Sequence, residues 1–222
     1  MDLAADCFRQ ALAIDRQLGN RIGEAADLAN LGAVDHAQGR LDRAGDHMEQ
    51  AMGLLRELGD RSAEAETLRM LAEVHSDAGR GAAARETAQA ALSLARNLNH
   101  RRYEADALNT VAMVEQRLGR HSRAVHHYQR ALDLAREIET DHSEAVALTG
   151  LAAAHRQTGQ LETARLHAEH AIAAAGRAGY RISEAQALTT LADVHRAAGR
   201  PSEAVAPARR AVELNGASGH RL

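Results

Sequence analysis

Histidines offer the widest chemistry in this sequence, because the chain carries 13 of them and imidazole can ligate a metal or transfer a proton. Two sets recur at multiples of 40 residues: His75, His155 and His195 in one, and His47, His127 and His167 in the other. Members of one set lie about one repeat apart, too far to share a zinc ion whose ligands lie ~2 Å from the metal. The local pairs His126–His127 and His167–His170 bring no third ligand at a suitable spacing. We therefore expect no metal site.

Cysteine, lysine and carboxylate chemistry also lacks support. Cys7 is the single cysteine, and a lone cysteine on a helix usually behaves as a small apolar side chain. The sequence contains no lysine, which excludes Schiff bases and the phosphate-binding loop that ends in Gly-Lys-Ser or Gly-Lys-Thr. The carboxylates recur with the repeat and do not converge as paired acid–base catalysis requires. We predict that the chain is not an enzyme, has no catalytic residues and uses no cofactor.

The composition favours an all-helical protein. Of 222 residues, 45% are apolar but only 2% aromatic, and Ala, Leu, Arg and Glu dominate, which is unlike a β-sandwich or barrel. No apolar run reaches the ~18–20 residues that span a membrane. The net charge of −3 gives no basic footprint for nucleic acid. Residues 1–6 lack the features of a signal peptide, and a single cysteine fits a reducing compartment, so we expect a cytoplasmic protein.

The elements that position these residues follow a 40-residue repeat. One column of the alignment holds Leu28, Leu68, Leu108, Leu148 and Leu188, and columns of Glu, Ala and Gly keep the same register. The full units are residues 21–60, 61–100, 101–140, 141–180 and 181–220, and residues 1–20 correspond to the second half of a unit. The sequence predicts a single array over residues 1–222. Because Arg221 and Leu222 would begin a sixth unit, we expect an excised or incomplete array.

Each unit splits into two helices. Apolar residues recur at three-residue steps from Ala25 to Val34, Gly39 ends this first helix, and Gly59 ends the second. The positions equivalent to Gly59 hold Gly19, Asn99, Glu139, Gly179 and Gly219. Glu139 should give a strained or differently built turn, and Pro207 should kink or weaken the last helix. The predicted fold is all-α, an α-solenoid of stacked antiparallel helix pairs with about 11 helices.

The columns resemble the tetratricopeptide repeat. The matching residues are Leu28, Leu31 and Gly32 in the first helix and Ala44, Met48 and Ala51 in the second. The period is 40 rather than 34 residues, and this variant is similar to the arrays of bacterial SARP and NB-ARC (STAND) regulators and of Pins-type scaffolds. The resemblance implies a right-handed superhelix in which the first helices line a concave groove that binds a peptide.

The resemblance also assigns candidate binding residues to that groove. They are Glu66, Arg69, Glu73, Asp106, Asn109, Met113, Arg117, Arg156, Asp193 and Arg196. Arg117, Arg156 and Arg196 would form a basic ladder that holds the carboxylates of an acidic peptide, because a guanidinium matches a carboxylate bidentately. The alternative is a solvated face with local ion pairs such as Arg196 with Asp193, each contributing ~0.3 kcal/mol.

The leading hypothesis is a non-catalytic scaffold that binds a peptide or partner domain, as the sensing or regulatory part of a larger bacterial regulator. The alternative is a structural module that self-associates end to end through the apolar side of the first helix, assigned to Ala4, Phe8 and Ala11. A reader of single-stranded RNA would need basic and stacking side chains in every unit, and the scarcity of aromatic residues argues against it.

Overall fold

The computed structural model describes residues 2–217, which form eleven α-helices without a β-strand. The helices are α1 (Asp2–Leu18), α2 (Arg21–Ala37), α3 (Leu41–Leu58), α4 (Arg61–Asp77), α5 (Gly81–Asn97), α6 (Arg101–Arg117), α7 (His121–Glu137), α8 (Asp141–Gln157), α9 (Leu161–Ala178), α10 (Arg181–Ala197) and α11 (Pro201–Ala217). The predicted all-α fold and helix number are confirmed. The helix stop expected at Gly219 and the start of a sixth unit at Arg221 lie outside the described residues.

The chain divides into two compact units, Met1–Tyr103 and Glu104–Leu222. In the first unit α1 packs on α2, α2 on α3, α3 on α4 and α4 on α5, and α2 also contacts α4. In the second unit the same order joins α7 through α11, and α8 also contacts α10. Within each unit, therefore, successive helices pack as neighbours, and the first helices of consecutive repeats also touch each other.

The turns between helices use one construction, which Gly39 illustrates. Its φ of 72° lies in the left-handed region, and this lets the amide of Arg40 donate to the carbonyl of Asp35 at 2.8 Å. The turn at Glu139 is built in the same way, because Glu139 has a φ of 54° and the amide of Thr140 donates to Ala135 at 2.9 Å. The expectation of a differently built turn is therefore wrong. The strain remains, because a side chain in this region is crowded.

Small residues bring the helices close together. Ala44, Ala84, Ala124 and Ala164, which share one column, are 0% exposed. Beside the larger side chain of Met48 in α3, the neighbouring helix α2 carries glycine. The site where Gly32 would bear a Cβ atom lies 2.7 Å from Met48 Cγ. The missing side chain of Gly32 therefore makes room for Met48, and the two helices stay closely packed.

An arginine eight residues before the glutamate column joins consecutive repeats, a contact that the sequence analysis missed. Nε of Arg56 donates to Glu64 at 2.9 Å, and the same geometry joins Arg16 to Glu24 at 2.8 Å. The glutamate lies in the first helical turn, where its charge also complements the helix macrodipole. In these repeats the pair ties the end of a second helix to the start of the next first helix.

One expectation about the first helix is wrong. Phe8, assigned to the exposed side of α1, packs instead against the buried cluster that contains Leu12 and Leu28. The large apolar residues that α1 exposes are Leu3, Ile14 and Leu18. At the other end, Pro207 lies inside α11, and the expected kink or weakening of this helix stays a prediction. In the described part of the chain, no helix is long and apolar enough to cross a membrane.

Candidate functional site

Each unit has a candidate surface on the face of its first helices, which are α2 and α4 in the first unit and α6, α8 and α10 in the second. Most of the ten predicted site residues are partly accessible there. Arg117 and Arg196 are exposed, Asn109 is buried, and the half-buried ones are Glu66, Arg69, Glu73, Asp106, Met113, Arg156 and Asp193. Most of them are half-buried, so accessibility does not separate them. Their hydrogen-bond and ion-pair partners differ, and these partners decide which of them can contact a ligand.

In the first unit, the Arg69 side chain is paired with two carboxylates of its own helix, α4. Its Nε and one terminal nitrogen donate to the two carboxylate oxygens of Glu66 at 2.9 and 2.6 Å, and the other terminal nitrogen donates to Glu73 at 2.5 Å. The three side chains lie on one helical face at i, i+3 and i+7, which is why they meet. Together they carry one net negative charge, and all three nitrogens of the guanidinium already donate to carboxylates of the same helix.

A second polar contact crosses from α2 to α4. Nε2 of His36 lies 2.5 Å from Oδ2 of Asp77, 41 residues later in the sequence. Both residues occupy columns that the sequence analysis places in the groove. The contact links the first helices of two consecutive repeats directly.

In the second unit, two predicted site residues hold helices together. The hydroxyl of Ser143 in α8 donates to Oδ1 of Asp106 in α6 at 2.6 Å. The side-chain amide of Asn109 donates to the carbonyl of Ser143 at 3.1 Å, and Asn109 is only 5% exposed. Asn109 therefore lies between α6 and α8 rather than on the accessible surface.

The three arginines of the predicted ladder are not equivalent. Arg196 forms a solvent-exposed ion pair with Asp193 at 3.1 Å, which is the local pairing considered as the alternative. Arg117 lies close enough to Tyr128 to oppose the rise that burial causes in the pKa of that phenol. Arg156 is half-buried, and its buried Nε finds no hydrogen-bond partner in the described part of the chain. Of these three arginines, Arg156 is the one that is half-buried and has, among the described residues, a hydrogen-bond donor without an acceptor.

The two histidine columns meet inside the first and the fourth repeat. In the first repeat Nδ1 of His47 lies 3.0 Å from Oδ2 of Asp35, close enough for an ion pair although not aligned for a hydrogen bond. In the fourth repeat the equivalent residues are both histidine, and the rings of His155 and His167 stack with centroids 5.4 Å apart. The sequence signal for these contacts is the constant 12-residue offset between the two histidine columns. No group of three potential ligands forms a metal site among the described residues.

Burial is the main reason that the pKa of His167 falls to about 4, and the positive charges of His155, His170 and Arg136 lower it further. His167 is consequently neutral near pH 7. Desolvation favours the uncharged imidazole, and the neighbouring cations oppose a further positive charge.

Stacked helix pairs with an accessible first-helix face define a helical-repeat protein of the α-solenoid class. Family models described as "Tetratricopeptide repeat" match residues 24–97 and 103–177, and residues 185–216. The chain belongs to the tetratricopeptide repeat family. None of the curated proteins is significantly similar to this sequence.

Solved structures share this fold at low sequence identity. BtubC (BKLC) from P. vanneervenii is 20% identical with a TM-score of 0.74, and the match covers 100% of this chain and 93% of that one. A Rap protein complexed with Competence and Sporulation Factor is 20% identical with a TM-score of 0.79, over 96% of this chain and 64% of that one. The Rap conjugation gene regulator of plasmid pLS20, in complex with the Phr* peptide, is 15% identical with a TM-score of 0.77, over 92% and 57%.

Proposed function

We propose that this chain is a non-catalytic interaction module whose first-helix face binds a peptide or a partner domain. The observation that carries the proposal is a contrast between two kinds of position. Packing columns repeat the same small or apolar residue, whereas the accessible first-helix positions change from repeat to repeat. One such column reads Glu66, Asp106, Val146 and Gln186. A surface with a different side chain in each repeat can distinguish one extended ligand from another.

The structural neighbours support a peptide as the ligand. The Rap regulator of pLS20 was solved with the Phr* peptide, and another Rap protein with Competence and Sporulation Factor. This chain spans 57% and 64% of those two chains. We include in the proposal that the array is the sensing part of a larger bacterial regulator and that it acts in the cytoplasm.

A selection of random peptides displayed on phage tests the proposal with the full chain as bait. Thr189→Arg places a long side chain on the exposed first-helix face, and Ala173→Arg places the same side chain on an exposed position of the second helix α9. We expect enriched peptides that bind the wild type and Ala173→Arg alike and lose affinity for Thr189→Arg. No enrichment, or equal binding to all three proteins, would contradict the proposal.

Self-association is a second candidate function, because α1 exposes large apolar side chains. Leu3 is 78% exposed, Ile14 55% and Leu18 75%. Burying such a surface against a second copy would be favourable by ~25 cal/mol for each Å² of apolar area. We expect the sedimentation coefficient to rise with protein concentration for the wild type and to stay constant for Ile14→Glu. A concentration-independent wild type would exclude this candidate.

A further inference from the structure

Side chains on consecutive first helices meet at a constant offset of 41 residues. In the first unit His36 faces Asp77 at 2.5 Å, and in the second unit Nε2 of Gln116 donates to Oε1 of Gln157 at 3.2 Å. In each case a donor in one repeat finds an acceptor one residue further along in the next. The offset follows from a 40-residue repeat whose first helices pack side by side.

The same offset places Ala197 opposite Arg156. Ala197 has a methyl group where Asp77 and Gln157 supply the acceptor in the two pairs above, so its side chain cannot accept a hydrogen bond from the guanidinium. This explains why the buried Nε of Arg156 has no hydrogen-bond partner in the described part of the chain. A buried donor without a partner is costly, and the cost is larger when the group is charged.

Arg156 also differs from the other arginines on this surface. Arg69 forms ion pairs with Glu66 and Glu73, and Arg196 forms an ion pair with Asp193. Ala153, a small half-buried residue, lies one turn before Arg156 on α8. Ala197 is exposed, and neither alanine side chain can accept a hydrogen bond from the guanidinium.

We propose that Arg156 is the anchor of the binding surface and takes a carboxylate of the bound peptide in the place where Asp77 and Gln157 supply the acceptor in their own pairs. This inference rests on the proposed function. A carboxylate is the group that matches, because it supplies two acceptor oxygens to the planar guanidinium fork and neutralises its charge. The carboxylate can belong to an Asp or Glu side chain or to the C-terminus of the peptide.

Peptide selection on the full chain tests the anchor with three variants. Arg156→Gln removes the charge, Ala197→Asp supplies an internal acceptor like that of Asp77, and Arg130→Gln is a control that removes an exposed arginine of the second helix α7. We expect wild-type selections to enrich Asp or Glu at one position or a free C-terminus. Selected peptides should bind Arg156→Gln and Ala197→Asp at least about tenfold more weakly, as loss of a charge-assisted hydrogen bond implies.

The source of the carboxylate is resolved by synthesising one selected peptide with a free or amidated C-terminus and with each acidic residue replaced by its amide. Loss of affinity on a single replacement identifies the bound group. Melting curves of the variants must match the wild type or, for Ala197→Asp, exceed it. Enriched peptides without a carboxylate preference, or unchanged affinity for Arg156→Gln, would overturn the anchor and leave the proposed function standing. Failure to enrich any peptide would overturn both.

Discussion

The ring of Tyr128 in α7 packs directly on the backbone of Gly150 in α8. A Cβ atom at position 150 would lie 2.2 Å from the Cε1 and Cζ atoms of that ring. Tyr128 is only 4% exposed, so the ring has little freedom to move away. The missing side chain at position 150 is therefore what admits an aromatic residue at position 128.

Gly150→Ala should consequently destabilise the protein. We expect a loss of about 1–3 kcal/mol from overpacking, which outweighs the ~1 kcal/mol that alanine gains over glycine in a helix. Urea unfolding followed by circular dichroism measures the change. Gly176→Ala is the matched control, because no atom lies within 4 Å of its Cβ site, and it should be stabilising. Combining Gly150→Ala with Tyr128→Ala should cost less than the sum of the single changes; additive costs would contradict the contact.

Glu139 carries its side chain in a backbone conformation that favours glycine. Its φ is 54°, and the equivalent residue Gly179 has a φ of 71°. Glu139→Gly should raise the free energy of unfolding by about 0.5–1 kcal/mol, because the crowding of Cβ is removed. Gly179→Glu should lower it by a similar amount. Both changes in the free energy of unfolding are measured from the midpoints of urea unfolding curves with equal m-values. A destabilised Glu139→Gly would show that the glutamate side chain stabilises the fold by more than the backbone strain destabilises it.

Asp27 is a buried carboxylate at a position that holds Ala107, Ala147 and Ala187 in later repeats. Burial raises the pKa of Asp27, and the negative charge of Asp15 raises it further. Because the folded pKa lies above the unfolded one, the proton stabilises the fold at acid pH, and this contribution is lost as pH rises through the raised pKa.

Asp27→Ala should therefore stabilise the protein by about 1 kcal/mol at pH 7 and have a smaller effect near pH 3, below the ordinary carboxyl pKa of 3.8, where the carboxyl is mostly protonated in both states. Thermal unfolding at the two pH values measures the difference. Asp46→Ala, at an exposed position of α3, is the control and should show no such dependence. An equal effect of Asp27→Ala at both pH values would argue against a raised pKa.

His167, which stacks on His155, should titrate well below the usual range of imidazole. The pKa of His167 is about 4, so the unfolded chain binds a proton there first as pH falls below about 6.5, and the fold loses stability down to pH 4. His155→Asp recreates the Asp35–His47 arrangement and should move the His167 midpoint above 6.5. NMR titration of the imidazole C–H signals reports both values, with His170→Gln as a control that raises the midpoint less. A wild-type midpoint near 6.5 would contradict the buried environment.

The repeat, the helices and the turn positions could be derived from the sequence, because each depends on local backbone preference and on periodicity. Gly39 ends a helix wherever it stands in the array, and the Ala and Leu columns mark a buried face without knowledge of what covers it. The same local reasoning found the pair Arg196–Asp193, since residues three apart on a helix are neighbours.

Contacts between helices were decided only by the tertiary structure. Periodicity placed Asn109 and Arg156 in comparable columns, yet the crossing of α6 and α8 buries Asn109 against Ser143, whereas Arg156 meets no acceptor opposite. It likewise assigned Phe8 to the free side of α1, although the packing of α1 on α2 turns that residue inward. The reason is physical: a repeat specifies which side chains share a helical face, but the approach and crossing of two helices determine which of them touch.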